Sequence, residues 1–260
     1  MKAQAFVAAL ATALLLTAGT AQAGRSCEAR PLTAASVQSA MVLAERTAAA
    51  LDASGAQVVA LARIGQDLRK YGQRYSHFGF AYRDGARWRI AHKLNHCGSA
   101  TAQVYRQGLG EFFLDDMFEF QAGVVVLDPA LQARLLPVLQ DDQRLAQLHT
   151  AAYSVVAYPW AQTYQQSNQW ALETLAMAQE PAANTRERAQ AWLKLHGYEP
   201  TTLNLDAMTR LGGRITHANV AFDDHPNERR FTDRIDTVTV DSVFVWLQRS
   251  SLGGPTLSVR

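Results

Sequence analysis

Two histidines stand near each other in the stretch YSHFGFAYRDGARWRIAHKLNHCG, residues 75–98. Each lies in a run typical of a β-strand, and the dipeptide Asp84-Gly85 between the runs favours a tight hairpin turn. Because side chains alternate along a strand, such a hairpin brings His77 and His92 close together, directly or diagonally. Two neighbouring imidazoles are typical of a general base and the group that orients it.

A structural role for the same pair stays open from the pattern alone. In that interpretation His77 and His92 are hydrogen-bonded residues that line the sheet. A zinc site is a weaker hypothesis, since no third cysteine, histidine or carboxylate recurs here at ligand spacing. The sequence predicts no cofactor.

A serine marks the second candidate position. The polar run Tyr164-Gln165-Gln166-Ser167-Asn168 ends where an amphipathic helix begins, which places Ser167 at or beside the helix N-cap. Amide donors at a helix start stabilise a deprotonated nucleophile or a developing oxyanion. Serine is also a favoured N-cap without any chemistry, so both interpretations stay open.

Alternating helical and strand patterns surround these residues and predict one α+β domain over residues 24–260, with a central antiparallel sheet flanked by helices. We expect helices at 34–53, 109–118, 130–147, 167–179 and 185–196, and strands at 57–64, 75–83, 87–95, 122–129 and 153–159.

The first 23 residues have the pattern of a cleaved secretory signal: Lys2, an apolar run, and a small-residue ending at Ala23. The mature chain is then expected to begin near Gly24, to be periplasmic or secreted, and to have no membrane span. An exported chain with two cysteines favours a disulfide between Cys27 and Cys97, with a reactive Cys97 as the alternative.

Charge argues against one class of partner. Signal cleavage removes one lysine and lowers the formal net charge from +2 to +1. With this near-neutral balance and no basic stripe, the sequence does not favour nucleic acid binding.

The order of these motifs resembles the circularly permuted papain-like superfamily, which includes NlpC-type amidases and lecithin:retinol acyltransferase-like proteins. There a histidine in a His-x-Gly-Phe type motif precedes a polar residue on the next strand, and a nucleophilic cysteine opens a later helix. The resemblance implies that His77 is the base, His92 the orienting group and Ser167 the residue in the cysteine position, followed by Trp170 and Ala171 in place of Phe-Val. Serine in that position implies either Ser-His chemistry or a scaffold that binds without cleaving.

The motifs SHFGF, LNHCG, YxxSNQW and FDDHP together resemble a bacterial family catalogued as domain of unknown function 2145, and this resemblance spans most of the mature chain. It implies an exported bacterial protein and carries no activity with it. Within FDDHP, Asp223, Asp224 and His225 are candidates for an acid, a base or a cation ligand, although the same residues are good turn formers.

Two functions therefore follow as expectations. The first is a hydrolase or acyltransferase acting on an amide or ester of the cell envelope, in peptidoglycan or lipid, through Ser167, His77 and His92. The second is a non-catalytic periplasmic binding or envelope-structural protein.

Overall fold

A six-stranded antiparallel sheet forms the centre of the protein, in the order β4-β3-β2-β1-β5-β8. The computed structural model describes residues 32–115 and 117–260. The strands are β1 (Val58–Ile64), β2 (His77–Asp84), β3 (Arg87–Asn95), β4 (Ala102–Gly108), β5 (Glu119–Val126), β6 (Thr201–Asn204), β7 (Arg234–Thr237) and β8 (Leu257–Val259).

Helices cover both faces of this sheet. They are α1 (Ala34–Ala53), α2 (Leu109–Leu114), α3 (Pro129–Gln140), α4 (Asp142–Ala146), α5 (Ser167–Gln179), α6 (Arg186–Leu195), α7 (Ala207–Thr216), α8 (Asn227–Arg230) and α9 (Val240–Arg249). The predicted α+β class, with a central antiparallel sheet flanked by helices, is confirmed.

Strand alternation divides the core into two layers. Phe78 and Phe80 of β2 point into the larger layer, where they pack with α3, α5, α6 and α9. Ala81 of β2 and Ile90 of β3 point to the opposite face, where they pack with α1 and with Phe112 of α2. We call these the α5 face and the α2 face. A side chain on the α5 face is separated from a side chain on the α2 face by the thickness of the sheet.

A two-stranded sheet, β6 and β7, lies apart from the central sheet. It carries a small cluster of buried apolar residues, Leu205, Phe222 and Ile235. Helices α7 and α8 belong to the same segment of the chain, between the two strands.

Local sequence signals explain several elements. Helix α1 spans the predicted residues 34–53 and begins with a capping box at Thr33, whose side chain accepts from the Ser36 amide. Gly85 turns the β2–β3 hairpin with a φ of +61°, a conformation that glycine adopts without steric cost. Helix α5 also has its predicted bounds, 167–179.

Other predictions were wrong. Residues 153–159 form turns rather than a strand, since the chain makes one bridge to the sheet, Ala152 to Thr101, and then bonds elsewhere through Val155 N to Asn219 O. The predicted helix 130–147 is two helices separated at Asp141, and the predicted helix 109–118 ends at Leu114.

Within the described residues, no helix combines the length and the apolar character that are needed to cross a bilayer.

The absence of a side chain at Gly79 allows β2 and β3 to approach each other closely. A Cβ at this position would lie 2.6 Å from the Ala91 carbonyl oxygen and 2.7 Å from His92 Cβ. We therefore expect Gly79→Ala to lower the free energy of unfolding by about 2 kcal/mol, because backbone atoms must move. Gly212→Ala, in α7 with nothing within 4 Å of the added methyl, is the control and is expected to leave stability unchanged or raise it by up to about 1 kcal/mol. Urea denaturation measures both, and equal midpoints would contradict the close approach.

Candidate functional site

His77 and His92 lie together, as the hairpin register predicts. His77 Nε2 is 2.9 Å from His92 Nδ1, and the ring centroids are 5.2 Å apart. Both rings also contact the ring of Phe112 on α2, at centroid distances of 6.0 and 5.3 Å. The pair therefore belongs to the α2 face of the sheet.

Burial keeps both imidazoles neutral. Burial lowers the pKa of His77 well below its ordinary value, and the charge of Arg63 and the neighbouring His92 act in the same direction. Burial and the Arg63 charge lower the pKa of His92 to about 3, although the neighbouring side chains of Gln107 and Asp115 act in the opposite direction. At neutral pH one neutral imidazole donates its N–H to the other.

Ser167 is the first residue of α5, and Gln166 is the N-cap. The Gln166 side chain accepts from the Asn168 amide at 3.3 Å, so serine does not have the capping role that the sequence allowed. The Ser167 side chain hydrogen-bonds Tyr153, a fully buried phenol whose pKa is raised by burial. Ser167 itself is only 7% exposed.

The structure does not bring Ser167 to the histidines. Helix α5 packs against the α5 face through Trp170, Ala171 and Leu172, whereas His77 and His92 lie on the α2 face with Phe112. The start of α5 does touch β2, since the Phe78 amide donates to Asn168 Oδ1 at 3.2 Å. That contact is made by the backbone of the strand, whereas the imidazoles contact Phe112 on the α2 face.

A buried polar network occupies the surroundings of the α5 start. The Gln165 amide nitrogen donates to Glu173 at 2.5 Å and to the Leu148 carbonyl at 2.8 Å, while its oxygen accepts from Lys93 at 2.8 Å and from the Thr150 amide at 2.9 Å. The amide of Gln165 thus makes four hydrogen bonds, which is its full capacity.

Glu173 and Arg186 form the charged centre of this network. Arg186 Nε donates to Glu173 Oε2 at 2.9 Å, and Gln190 donates to Oε1 at 2.7 Å. Both side chains of the ion pair are buried, at 7% and 1% exposure. Arg186 also donates to the carbonyls of Gln162, Ala161 and Tyr164.

Lys93 is the alternate neighbour of His92 on β3 and therefore points to the opposite, α5 face. Its ammonium donates to the Thr150 carbonyl at 2.6 Å. It also donates to the backbone carbonyl and to the side-chain amide oxygen of Gln165, each at 2.8 Å. Burial lowers the pKa of Lys93 to about 7. In the ammonium form of Lys93 these three acceptors occupy all three N–H donors, so no N–H is left for a substrate.

The Asp223-Asp224-His225 loop is split between surface and interior. Asp223 is exposed and contacts the Tyr164 hydroxyl at 3.2 Å. His225 and Asp224 are buried, with His225 Nδ1 2.9 Å from Asp224 Oδ1 and Nε2 2.9 Å from the Asp236 carbonyl. The loop is therefore a turn that is also hydrogen-bonded to β7 through the buried His225. Both imidazole nitrogens of His225 have partners within the protein.

Two further candidates complete the sites that the sequence suggested. Cys97 lies exposed in the turn after β3, and its predicted partner Cys27 lies outside the described residues, so the disulfide stays a prediction. Within residues 32–115 and 117–260, no group of three or more histidine, cysteine or acidic side chains is arranged to hold a metal ion.

Sequence reasoning missed the buried network. Gln165 lies in the polar run that predicts the start of a helix, and Lys93 lies beside the candidate His92. The signal is indirect: Lys93 lies at an alternating strand position, and Glu173 lies between Leu172 and Leu175 in a helix, so burial of either side chain requires a buried partner.

A model of a family described as "Uncharacterized protein conserved in bacteria (DUF2145)" matches residues 50–247. The matched range contains His77, His92, Ser167 and the whole buried network. No curated protein and no solved structure is significantly similar to the chain.

The buried histidines predict a loss of stability in acid. Since the unfolded chain protonates His92 near pH 6.5 and the folded chain only near 3, the unfolded state binds more protons below pH 6.5, and stability falls as pH drops. From pH 7 to pH 4.5 we expect wild type to lose about 3 kcal/mol more unfolding free energy than His92→Gln. His96→Gln, at an exposed histidine, is the control and should follow wild type. Urea titrations at each pH measure this, and parallel pH curves for wild type and His92→Gln would refute the buried neutral state.

Proposed function

The chain belongs to the DUF2145 family of proteins conserved in bacteria, and we propose that it is an exported, non-catalytic protein of the cell envelope, which binds or holds another component there without cleaving it. One observation carries this proposal: the helix that begins at Ser167 packs on one face of the central sheet, whereas His77 and His92 contact Phe112 on the other face.

Nucleophilic catalysis by serine needs a base within hydrogen-bond reach of the hydroxyl, at about 3 Å. Here the titratable side chain that hydrogen-bonds Ser167 is Tyr153. Burial raises the pKa of that phenol, which keeps it protonated at neutral pH and unable to accept a proton from serine. Ser167 therefore lacks an activating base.

Access supports the same conclusion. The residues at the start of α5, from Gln165 to Gln169, are all buried, with exposures between 0% and 7%. Tyr153 and Ser154, which precede the helix in the sequence, are also buried. A substrate would have to displace this layer to reach the hydroxyl.

The other buried charges do not provide a base either. Glu173 accepts hydrogen bonds from Gln165, Arg186 and Gln190, and Lys93 donates to three oxygens. Groups that are saturated in this way stabilise a fold, and moving a proton through them would break several buried hydrogen bonds at once.

The proposed location in the cell envelope rests on the predicted export of the chain. The residues before Gly24 have the composition of a secretory signal, and a disulfide between Cys27 and Cys97 would suit an oxidising compartment. In this proposal the partner is an envelope component, peptidoglycan or lipid, and the scaffold is a relative of the permuted papain-like proteins with a serine in place of the nucleophile.

A serine-directed fluorophosphonate probe tests the absence of catalysis. We expect the purified mature protein to remain unlabelled under conditions that label a serine hydrolase standard. Ser167→Cys adds an independent measurement: iodoacetamide should modify the folded variant at least about 100-fold more slowly than the urea-unfolded one, because the site is sealed. Probe labelling that disappears in Ser167→Ala would instead support the hydrolase or acyltransferase.

Export and the disulfide are tested together by intact-mass measurement on protein from the periplasmic fraction. We expect the mass of a chain that begins near Gly24 and is lighter by two hydrogen atoms than its reduced form. The Cys97→Ser variant is the control and should show no such difference. Recovery of the uncleaved chain from the cytoplasm would contradict the proposed location.

A further inference from the structure

Helix α7 exposes an apolar stripe to solvent. Met208, Leu211 and Ile215 recur at the spacing of one helical face, and they are 75%, 51% and 50% exposed. No residue of α7 is buried. In a surface helix of a globular protein this face normally packs against the core, so its outward orientation needs an explanation.

The polar side of α7 attaches it to the protein. Arg210 donates to the Leu205 carbonyl and, at 2.6 Å, to Asp233. Gly213 faces Val220, whose Cγ1 would lie 3.4 Å from a Cβ at that position. At 3.6 residues per turn, Arg210 and Gly213 lie on the side opposite Met208 and Ile215. Arg210 and Gly213 therefore face the rest of the protein, and the apolar stripe is directed outward.

The charge beside the stripe is positive. Between Ala207 and Thr216 the helix contains Arg210 and Arg214 and no acidic residue, and Asp206 is used as the N-cap, accepting from the Thr209 amide at 2.7 Å. Arg210 is paired with Asp233, but the Arg214 side chain is 57% exposed, and its contact with Asp223 is loose, at 3.8 Å.

The segment 230–234, from the end of α8 to the start of β7, has the same combination of apolar and basic groups. Phe231 follows α8 and is 73% exposed, with the guanidinium of Arg230 5.4 Å from its ring centroid. Arg234, also exposed, begins β7. This segment is tied to α7 by the Arg210–Asp233 pair.

The size of the stripe discriminates between partners. A helix of ten residues is about 15 Å long and about 10 Å wide, so the face offers on the order of 150 Å². A stable protein interface buries about 800 Å² on each side, which a single exposed helix face does not reach. A lipid surface has no such minimum, because a few inserted side chains and one or two cations suffice for reversible binding.

We propose that α7 is a membrane-surface helix, with Met208, Leu211 and Ile215 inserted at the acyl boundary of an anionic bilayer and Arg214 at the level of the lipid phosphates. The inference gives a lipid partner to the proposed function and rests on its claim that the protein acts in the envelope. Binding is expected to be weak, reversible and sensitive to salt, since it combines a small apolar area with few charges.

Co-sedimentation with vesicles tests the proposal on the full mature protein. One set of vesicles contains phosphatidylglycerol and phosphatidylethanolamine, and the other contains phosphatidylcholine alone. We expect binding to the anionic vesicles that weakens in high salt and is at least about fivefold weaker on the neutral ones. The double variant Leu211→Gln/Ile215→Gln should bind at least about tenfold more weakly, and Arg214→Gln about fivefold more weakly.

Leu195→Gln is the matched control, because Leu195 is an exposed leucine on another helix, at 82% exposure. It should bind like wild type. Circular dichroism and the urea midpoint confirm that each variant is folded, as expected for substitutions at exposed positions.

Three results would overturn the proposal: no binding to anionic vesicles, equal binding by the double variant, or a dimer in light scattering that the double variant abolishes, which would assign the stripe to a second copy of the chain. None of these results alters the fluorophosphonate experiment, so failure of the lipid partner and failure of the non-catalytic function are distinguishable.

Discussion

The buried carboxylate of Glu173 is the constraint on which the centre of this protein depends. A charge without solvent is tolerated only when it is paired and fully hydrogen-bonded, and Glu173 receives donors from Gln165, Arg186 and Gln190. Arg186 in turn holds three carbonyls of the chain between residues 161 and 164. One ion pair thereby fastens α5, α6 and the irregular segment before α5 into a single arrangement.

This arrangement decides what the α5 start can do. Gln165 carries the network from Glu173 to Lys93 on β3, so the segment before Ser167 is held against the sheet by side chains that have no spare donors or acceptors. A helix start that presents a nucleophile must instead be open to a substrate. In this protein the side chains from Gln165 to Gln169 at the start of α5 are buried.

The surface carries an opposite arrangement in α7. There a paired arginine faces inward and the apolar side chains face outward, which exchanges the usual orientation of an amphipathic helix. In both helices an ion pair joins the helix to a residue that lies elsewhere in the chain. In α5 both members of the pair are buried, whereas in α7 the carboxylate is half exposed and the apolar side chains point to solvent.

The sequence by itself determined the features that depend on neighbouring residues: helices 34–53 and 167–179, the hairpin at Asp84-Gly85, and the proximity of His77 and His92 across it. Helical periodicity, turn chemistry and strand alternation are local properties, so they can be counted along the chain. Tertiary structure alone decided that α5 covers the face opposite the histidines, that residues 153–159 pair with no strand, and that Lys93, Gln165 and Glu173 meet. These outcomes join residues far apart in the chain, and alternation states which side chains share a face but not which helix covers it.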